Sequence, residues 1–556
     1  MKNKKIFAVT AAVLMGTMTV SAFSGCGGTI VEDSSYDPTK ANLSVATFDG
    51  GVGRAWLEEA ALRFEELYKD STEFEEGKVG VKVSVVGDKD KYAGNKLAEA
   101  GSLDKDVYFT EAVDYYDFVN KGLVADLSDV VKGDMSAYGE DGKIEDKIDT
   151  SIKGFMTAKD GNYYMLPFYD GYMGFIYDVE LFEKEGFYLD KDGDFIGIED
   201  DGFATNKGAG PDGVEGTYDD GLPATYQQFI DLCDQIVGKG CVPFCYSGNY
   251  PDYVNKSFYA FAADYEGYDS FMLNKTFYGT TKIVESIVDD GSLLGKVTLK
   301  DVTITKDNGY DLQKQAGKYY ALRMQEELFG TPKYLKDKVY NGLDYTVAQG
   351  EFIKSKYTNQ PYAMLVEGVW WENEANPTFL EIEANKGAGH TKMDRRFGFM
   401  PLPKVNEDHA GKATLYSVNS SFGFVNKNAE NMKLAKEFMR FLHTDAEMSK
   451  FSAKTSIPRS LKYSVNAEDM KTATNFGKSL MTLREKADVA YPFSSLDFVI
   501  NHQANFDNSV WLGTASVGGK PYGNAFNAFK NGNATAKTFF EGLWTYQQSG
   551  WSTNSR

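Results

Sequence analysis

Histidine and cysteine are scarce, four of each in 556 residues. His390, His409, His443 and His502 stand far apart, and none belongs to an HExxH metal motif. Neither GxSxG nor GxxxxGK[ST] occurs, so a nucleophile-elbow hydrolase and a P-loop nucleotide enzyme both lose their signatures. Cys26 stands alone near the start. Cys233, Cys241 and Cys245 form an odd set, which excludes a complete disulfide framework. Buried thiols are expected there, with a Cys241–Cys245 bridge left open. Past residue 25 no apolar run is long enough to cross a membrane. Basic residues are also in deficit: 59 Lys and Arg face 80 Asp and Glu, a formal charge of −21. Residues 1–25 carry three lysines and no acid, so their removal leaves −24. Such a surface disfavours nucleic acid and anionic lipid, and suits a neutral or cationic ligand.

What is present begins with length, too great for one core, so two or more lobes are expected. Aromatic residues make up 14%, with 35 tyrosines against six tryptophans. A tyrosine excess suggests a polar surface built of rings, each offering a flat face and a hydroxyl. Two of the six tryptophans are adjacent in VEGVWWENEAN, residues 366–376, where Glu367, Glu372 and Glu374 flank Trp370 and Trp371. At the N-terminus, Lys2, Lys4 and Lys5 precede the broken apolar run Ile6–Val20, and the run ends at Phe23-Ser24-Gly25-Cys26. This resembles a bacterial lipobox. It predicts a signal peptide over 1–25, lipidation of Cys26, a tether over 26–39, and residence on the extracellular face of the cell membrane. Two or more acyl chains anchor stably where one is marginal.

Residues 43–48 alternate like a strand, Asp49-Gly50-Gly51 turns it, and Trp56, Ala60, Phe64 and Leu67 recur at helical spacing. Val79, Val81, Val83 and Val85 alternate as a second strand. Asp106 to Thr110 reads as a third, followed by a helix with Tyr115, Phe118 and Val119. This alternation predicts an α/β fold with a mostly parallel sheet, whose ligands sit at the carboxyl ends of strands. Residues 161–172 are apolar but contain Pro167, which suits a sheet edge or a crossing segment. Thr225 to Gln228 is a capping box before an apolar face of Phe229, Leu232, Cys233 and Ile236. Leu434, Phe438, Phe441 and Leu442 form a similar face.

The order of these pieces resembles the extracellular solute-binding proteins of ABC importers, in the maltose-binding-protein-like sugar group. LSVATFDGGVGRAWLEEAALRFEELY, DVYFTEAVDYYDFVNKGLVADLSD and DGNYYMLPFYDGYMGFIYDVELFEKEGF carry the likeness. So do PATYQQFIDLCDQI, AMLVEGVWWEN, FGFMPLPKV, SSFGFVNKNAENMKLAKEFMRFLHTDAE and SIPRSL. Together they cover most of residues 40–465. The resemblance implies a two-lobe periplasmic-binding-protein-like fold of type II, with ligand between lobes hinged on crossing segments. Lobe 1 would hold 40–160 plus 415–465, and lobe 2 161–414 plus 466–556, with insertions about 186–222 and 290–360. It implies a non-catalytic monomer that captures an extracellular carbohydrate, an oligosaccharide by preference, for the transmembrane subunits of an ABC permease.

In that family the aromatic segment after the strand matching Ala363–Val366 lies at the cleft floor and stacks on sugar. A pyranose has a face of C–H groups and a rim of hydroxyls. A flat ring covers the first and carboxylates accept from the second. Adjacent residues point apart, so one indole is expected in the cleft and one in the core, with Trp370 favoured for the ligand over Trp371. Further ligand candidates are Phe48, Asp49 and Glu111 at strand ends, and Tyr169, Asp170 and Tyr172 near the first crossing. Tyr246, Asn249 and Tyr250, then Asn419 and Phe422, and Trp511 near the C-terminus complete them. Each of these side chains could instead be packing or capping. Two rival readings stay open. A glycoside hydrolase needs only two carboxylates, and a peptide-binding lipoprotein would need a clamp for peptide termini. No cofactor is expected, with one exception. Asp190, Asp192, Asp194 and Asp201 match positions 1, 3, 5 and 12 of a calcium loop, and Asp212, Asp219 and Asp220 add carboxylates. Phe195 stands at position 6, where such loops turn on glycine. A structural calcium and a solvated acidic loop both remain open.

Overall fold

The computed structural model describes residues 36–336, 342–418, 420–502, 506 and 512–555. The signal peptide, Cys26 and most of the tether lie outside them. Two sheets organise the chain. The first runs in the order Val81–Gly87, Ala41–Thr47, Val107–Thr110, Phe422–Val425, Met165–Pro167. Its first three strands are parallel, and Phe422–Val425 is antiparallel to its neighbours. The second runs Phe397–Phe399, Met173–Asp178, Tyr362–Gly368, Val242–Cys245. Each sheet, with its helices, is the core of one lobe. Val107–Thr110, Met173–Asp178 and Tyr362–Gly368 are buried on both faces, as helix-covered strands require.

Residues 168–172 carry the chain from the first sheet to the second, and residues 417–421 bring it back. The two segments run side by side: the Phe168 amide donates to the Ser421 carbonyl at 3.1 Å and the Val418 amide to the Gly171 carbonyl at 2.7 Å. The helices Met432–Leu442 and Asp445–Thr455 then pack on the first lobe. A third passage, 456–474, leads to Asn475–Lys486, which lies against Phe397–Phe399. In the second lobe a hairpin of Gly279–Val288 and Lys296–Ile304 precedes Ala316–Phe329, and this helix packs against Asp252–Thr276 and the C-terminal Ala536–Asn554.

Local chemistry explains these elements. Pro167 sits on the edge strand, where its missing N–H interrupts no ladder. Gln228 and Thr225 cap each other, Gln228 Oε1 accepting the Thr225 amide at 3.2 Å and Thr225 Oγ1 the Gln228 amide at 3.3 Å. The face of Phe229, Leu232, Cys233 and Ile236 is buried as its spacing predicts. Cys233, Cys241 and Cys245 are buried and form no disulfide with one another. Val79 departs from expectation. The strand starts at Val81, because Gly80, at φ +79°, breaks the extended run and leaves Val79 exposed. Among the described residues no helix is long and apolar enough to cross a membrane.

The acidic loop forms turns of its own. The loop after Leu189 folds as a hairpin in which Phe195 pairs with Leu189. Asp190 Oδ1 accepts the amides of Asp192 and Asp194, each at 2.9 Å. Asp219 Oδ2 accepts the Asp212 amide at 3.0 Å, and Asp220 accepts those of Gly216 and Thr217. Among the described residues no group of three His, Cys, Asp or Glu is arranged to hold a metal. Asp190, Asp212, Asp219 and Asp220 thus accept main-chain amides of the loop's own turns. Added calcium, followed by a chelator, should leave the melting temperature unmoved. A rise with calcium that the chelator reverses would restore the ion.

Candidate functional site

The lobes touch where the first strand of the chain ends. Beyond Thr47 the chain turns at Gly50-Gly51, and Gly51 takes φ +51°, which side chains rarely adopt. A Cβ on Gly51 would lie 3.3 Å from Glu111 Oε1 in its own lobe and 3.4 Å from the Trp370 Cβ in the other. Its amide donates to Glu374 Oε1 at 3.3 Å. Glu111 follows the strand Val107–Thr110. The next residue, Ala112, has φ +55°, a strained conformation of the kind that collects at functional sites. Tyr169, from the first crossing segment, donates its hydroxyl to Glu111 Oε1 at 2.5 Å.

The other wall is the end of strand Tyr362–Gly368 and the short helix Trp371–Glu374. The Trp370 indole lies over the Gly368 backbone. A Cβ there would sit 2.3 Å from the ring, so the glycine makes its place. Trp370 keeps 8% of its surface exposed, whereas Trp371 is fully buried. Trp371 packs among Phe352, Phe379, Phe397 and Phe476 with ring centroids 5.1 to 6.0 Å apart. Glu374 lies one helical turn after Trp370, on the same face. Gln349 Nε2 donates to Glu374 Oε2 at 2.8 Å and to Glu367 Oε1 at 3.2 Å. Glu372 turns the other way, accepting Thr474 Oγ1 at 2.7 Å and Ser456 Oγ at 3.0 Å on the third passage.

Burial sets the electrostatics. It pushes Glu111 and Glu374 up to about 7. Burial, then the field of Glu374, holds Glu367 well above the ordinary carboxylate range. Burial also raises Asp49, against the pull of Arg54. Beside the carboxylates stand three tyrosine rings. Tyr253 and Tyr345 stack at 6.2 Å and 14°, and Tyr250, half exposed, meets both edge-on. A cavity of about 630 Å³ adjoins the contact, between Gly53 and Arg54 of one lobe and Asn373, Asn376 and Lys392 of the other. That volume suits a small ligand held between walls.

Of the residues expected from sequence, Phe48, Asp49, Glu111, Tyr169 and Trp370 come together at or beside this contact. Asn249 is exposed at the rim with Tyr250, its amide donating to the Leu343 carbonyl at 3.2 Å. Four others point into the fold. Asp170 and Tyr172 are fully buried, and Asp170 Oδ2 accepts the Tyr172 hydroxyl at 2.7 Å and Arg484 Nε at 3.1 Å. Tyr246 packs on Phe329 and Phe526. Phe422 packs on Tyr115 and Phe493. Asn419 and Trp511 lie outside the described residues. Gly51, Gln349, Tyr253 and Tyr345 were not singled out, and Glu367 and Glu374 only as carboxylates flanking the tryptophans. The one-turn spacing from Trp370 could have found Glu374; nothing local marks Gln349.

With this geometry in view, the comparisons fall into place. Residues 71–478 match the family model described as bacterial extracellular solute-binding protein, and the chain belongs to that family. No curated protein sequence matches it. Solved structures similar to it include apo RafE from Streptococcus pneumoniae, at 14% identity and a TM-score of 0.51, covering 94% of this chain and 100% of that one. RafE in complex with raffinose aligns at 14% identity with a TM-score of 0.53, covering 93% and 100%. Maltose-bound MalE3 from T. maritima aligns at 13% identity with a TM-score of 0.52, covering 92% and 99%. Identities this low speak for the two-lobe fold alone.

Proposed function

We propose that this protein is the binding subunit of an ABC importer, which captures an extracellular carbohydrate between its lobes and delivers it to transmembrane permease subunits. The observation that carries the reading is Trp370, an indole held at the contact between lobes with carboxylates on either side. Its ring offers a face to sugar C–H groups, and Glu111 and Glu374 accept from hydroxyls. The raffinose and maltose complexes among similar folds support it. The protein works as a lipid-anchored monomer through Cys26, with no nucleic acid partner, no cofactor and no chemistry on its ligand. Calorimetry against mono- to pentasaccharides should find at least one tight ligand, bound with no product formed. Binding confined to peptides would sink the proposal.

A second reading has one observation of its own. Glu111 and Glu374 approach each other across Gly51, as the paired carboxylates of a glycoside hydrolase flank a scissile bond. Chromatography of the bound glycan after prolonged incubation separates the two: intact sugar supports the receptor, shortened sugar the hydrolase.

A further inference from the structure

Glu111, Glu367 and Glu374 meet at the lobe contact, and every donor that reaches them is neutral. The donors are the Tyr169 hydroxyl, the Gly51 and Gly368 amides and the Gln349 side chain. Among the described residues no lysine, arginine or histidine forms an ion pair with any of the three. Exposed Lys89 reaches Glu374 only through its field, which the field of Asp344 opposes. The neighbouring cavity is different. There Lys454 pairs with Glu59 at 2.6 Å and Arg63 with Glu447 at 2.6 Å. Glu59 and Glu447 beside the cleft are thus paired with cations, whereas Glu111, Glu367 and Glu374 are not.

A second observation concerns Gln349. Its side chain is fully buried, and the carboxamide that donates to Glu367 and Glu374 has an Oε1 with no donor. The polar groups gathered here are therefore short of donors as well as of positive charge. A buried acceptor without a donor is costly, and a ligand that brings a donor relieves that cost. A sugar hydroxyl supplies a donor but no charge. A protonated amine supplies three N–H donors and a charge together. Aromatic faces favour a cation beside them, and Trp370, Tyr253 and Tyr345 line this corner.

We propose that the ligand is an amino-substituted glycan whose ammonium group enters between Glu111, Glu367 and Glu374, against Trp370. This deepens the carbohydrate reading and rests on it. The rest of the sugar occupies the adjoining cavity. The chain's negative charge draws a cationic ligand toward the cleft.

The test is calorimetry at pH 7 with two β-1,4-linked oligomers of equal length, one of glucosamine and one of glucose, which differ only in an amine for a hydroxyl. The amine should bind at least about tenfold more tightly, and the preference should shrink as salt rises. Glu374→Gln and Glu111→Gln should each erase most of the preference, lowering the affinity for the amine oligomer more than that for the glucose oligomer. Melting curves confirm that both variants fold, and the two variants guard against a local failure of either. Equal affinity for the two oligomers, or a preference that survives both substitutions, overturns the ammonium site and leaves carbohydrate binding standing. Binding of neutral sugars alone overturns it in the same way. Failure of every glycan, aminated or neutral, overturns both proposals.

Discussion

Trp371→Ala should lower the stability of the unliganded protein by about 3–5 kcal/mol, the usual cost of truncating a large core aromatic. Trp370→Ala should instead weaken ligand binding by about 1–4 kcal/mol, the range for a buried aromatic anchor. The two residues are neighbours, so composition and local sequence are nearly held constant. What differs is direction. Trp371 is fully buried with four phenylalanine rings around it. Deleting its indole opens a cavity that four rigid rings can fill only in part. Trp370 faces the other lobe across Gly51 and lies on the Gly368 backbone. Truncating it removes a wall of the cleft more than a piece of the core. Urea unfolding and calorimetry on both variants decide the matter. Equal losses of stability, or an affinity that falls only for Trp371→Ala, would reverse the assignment of the two rings.

The split between these tryptophans was legible because neighbouring side chains on any regular backbone diverge. The sheet strands and the apolar faces of Tyr226–Gly238 and Met432–Leu442 were legible for a related reason: burial imposes a period on sequence. Strand ends were a weaker guide. Glu111 and Tyr246 both follow strands, yet one reaches the lobe contact and the other packs on Phe329 and Phe526. Position along a strand tells which end a residue occupies and leaves open which way it faces. The carboxylate corner was harder still. Gly51 meets Glu374 across 323 residues of chain, and Gln349 reaches it from a helix with no local mark. Such convergence is a property of the packed lobes. The acidic loop is the opposite case. Its spacing is local, but Asp190 and Asp220 satisfy main-chain amides of their own turns, and a motif of side chains cannot announce that.

Asp170 gives the second large expected effect, and it separates position from role. By sequence it sits among ligand candidates, between Tyr169 and Tyr172. In the fold it has no exposed surface, and it holds Arg484, whose side chain is 18% exposed, at 3.1 Å. Arg484 belongs to the helix Asn475–Lys486, and its Nη2 also donates to the carbonyls of Arg459 and Leu461, at 3.4 and 3.3 Å. The Asp170 amide in turn donates to the Pro458 carbonyl at 2.9 Å. One carboxylate therefore fastens the first crossing segment to the third passage and to a helix of the second lobe. Removing one member of a buried pair strands the other charge, at a cost of about 3–5 kcal/mol. Because Arg484 keeps some contact with water, Asp170→Ala should fall toward the lower end of that range. Replacing both residues, as Asp170→Ala with Arg484→Met, should recover part of the loss, since no charge is then left buried alone. Urea midpoints for the two single variants and the double variant measure the coupling. A ligand role predicts something else: stability nearly unchanged in Asp170→Ala, with affinity lost. That outcome would place Asp170 in the cleft and undo the reading of the pair as the fastening between crossings.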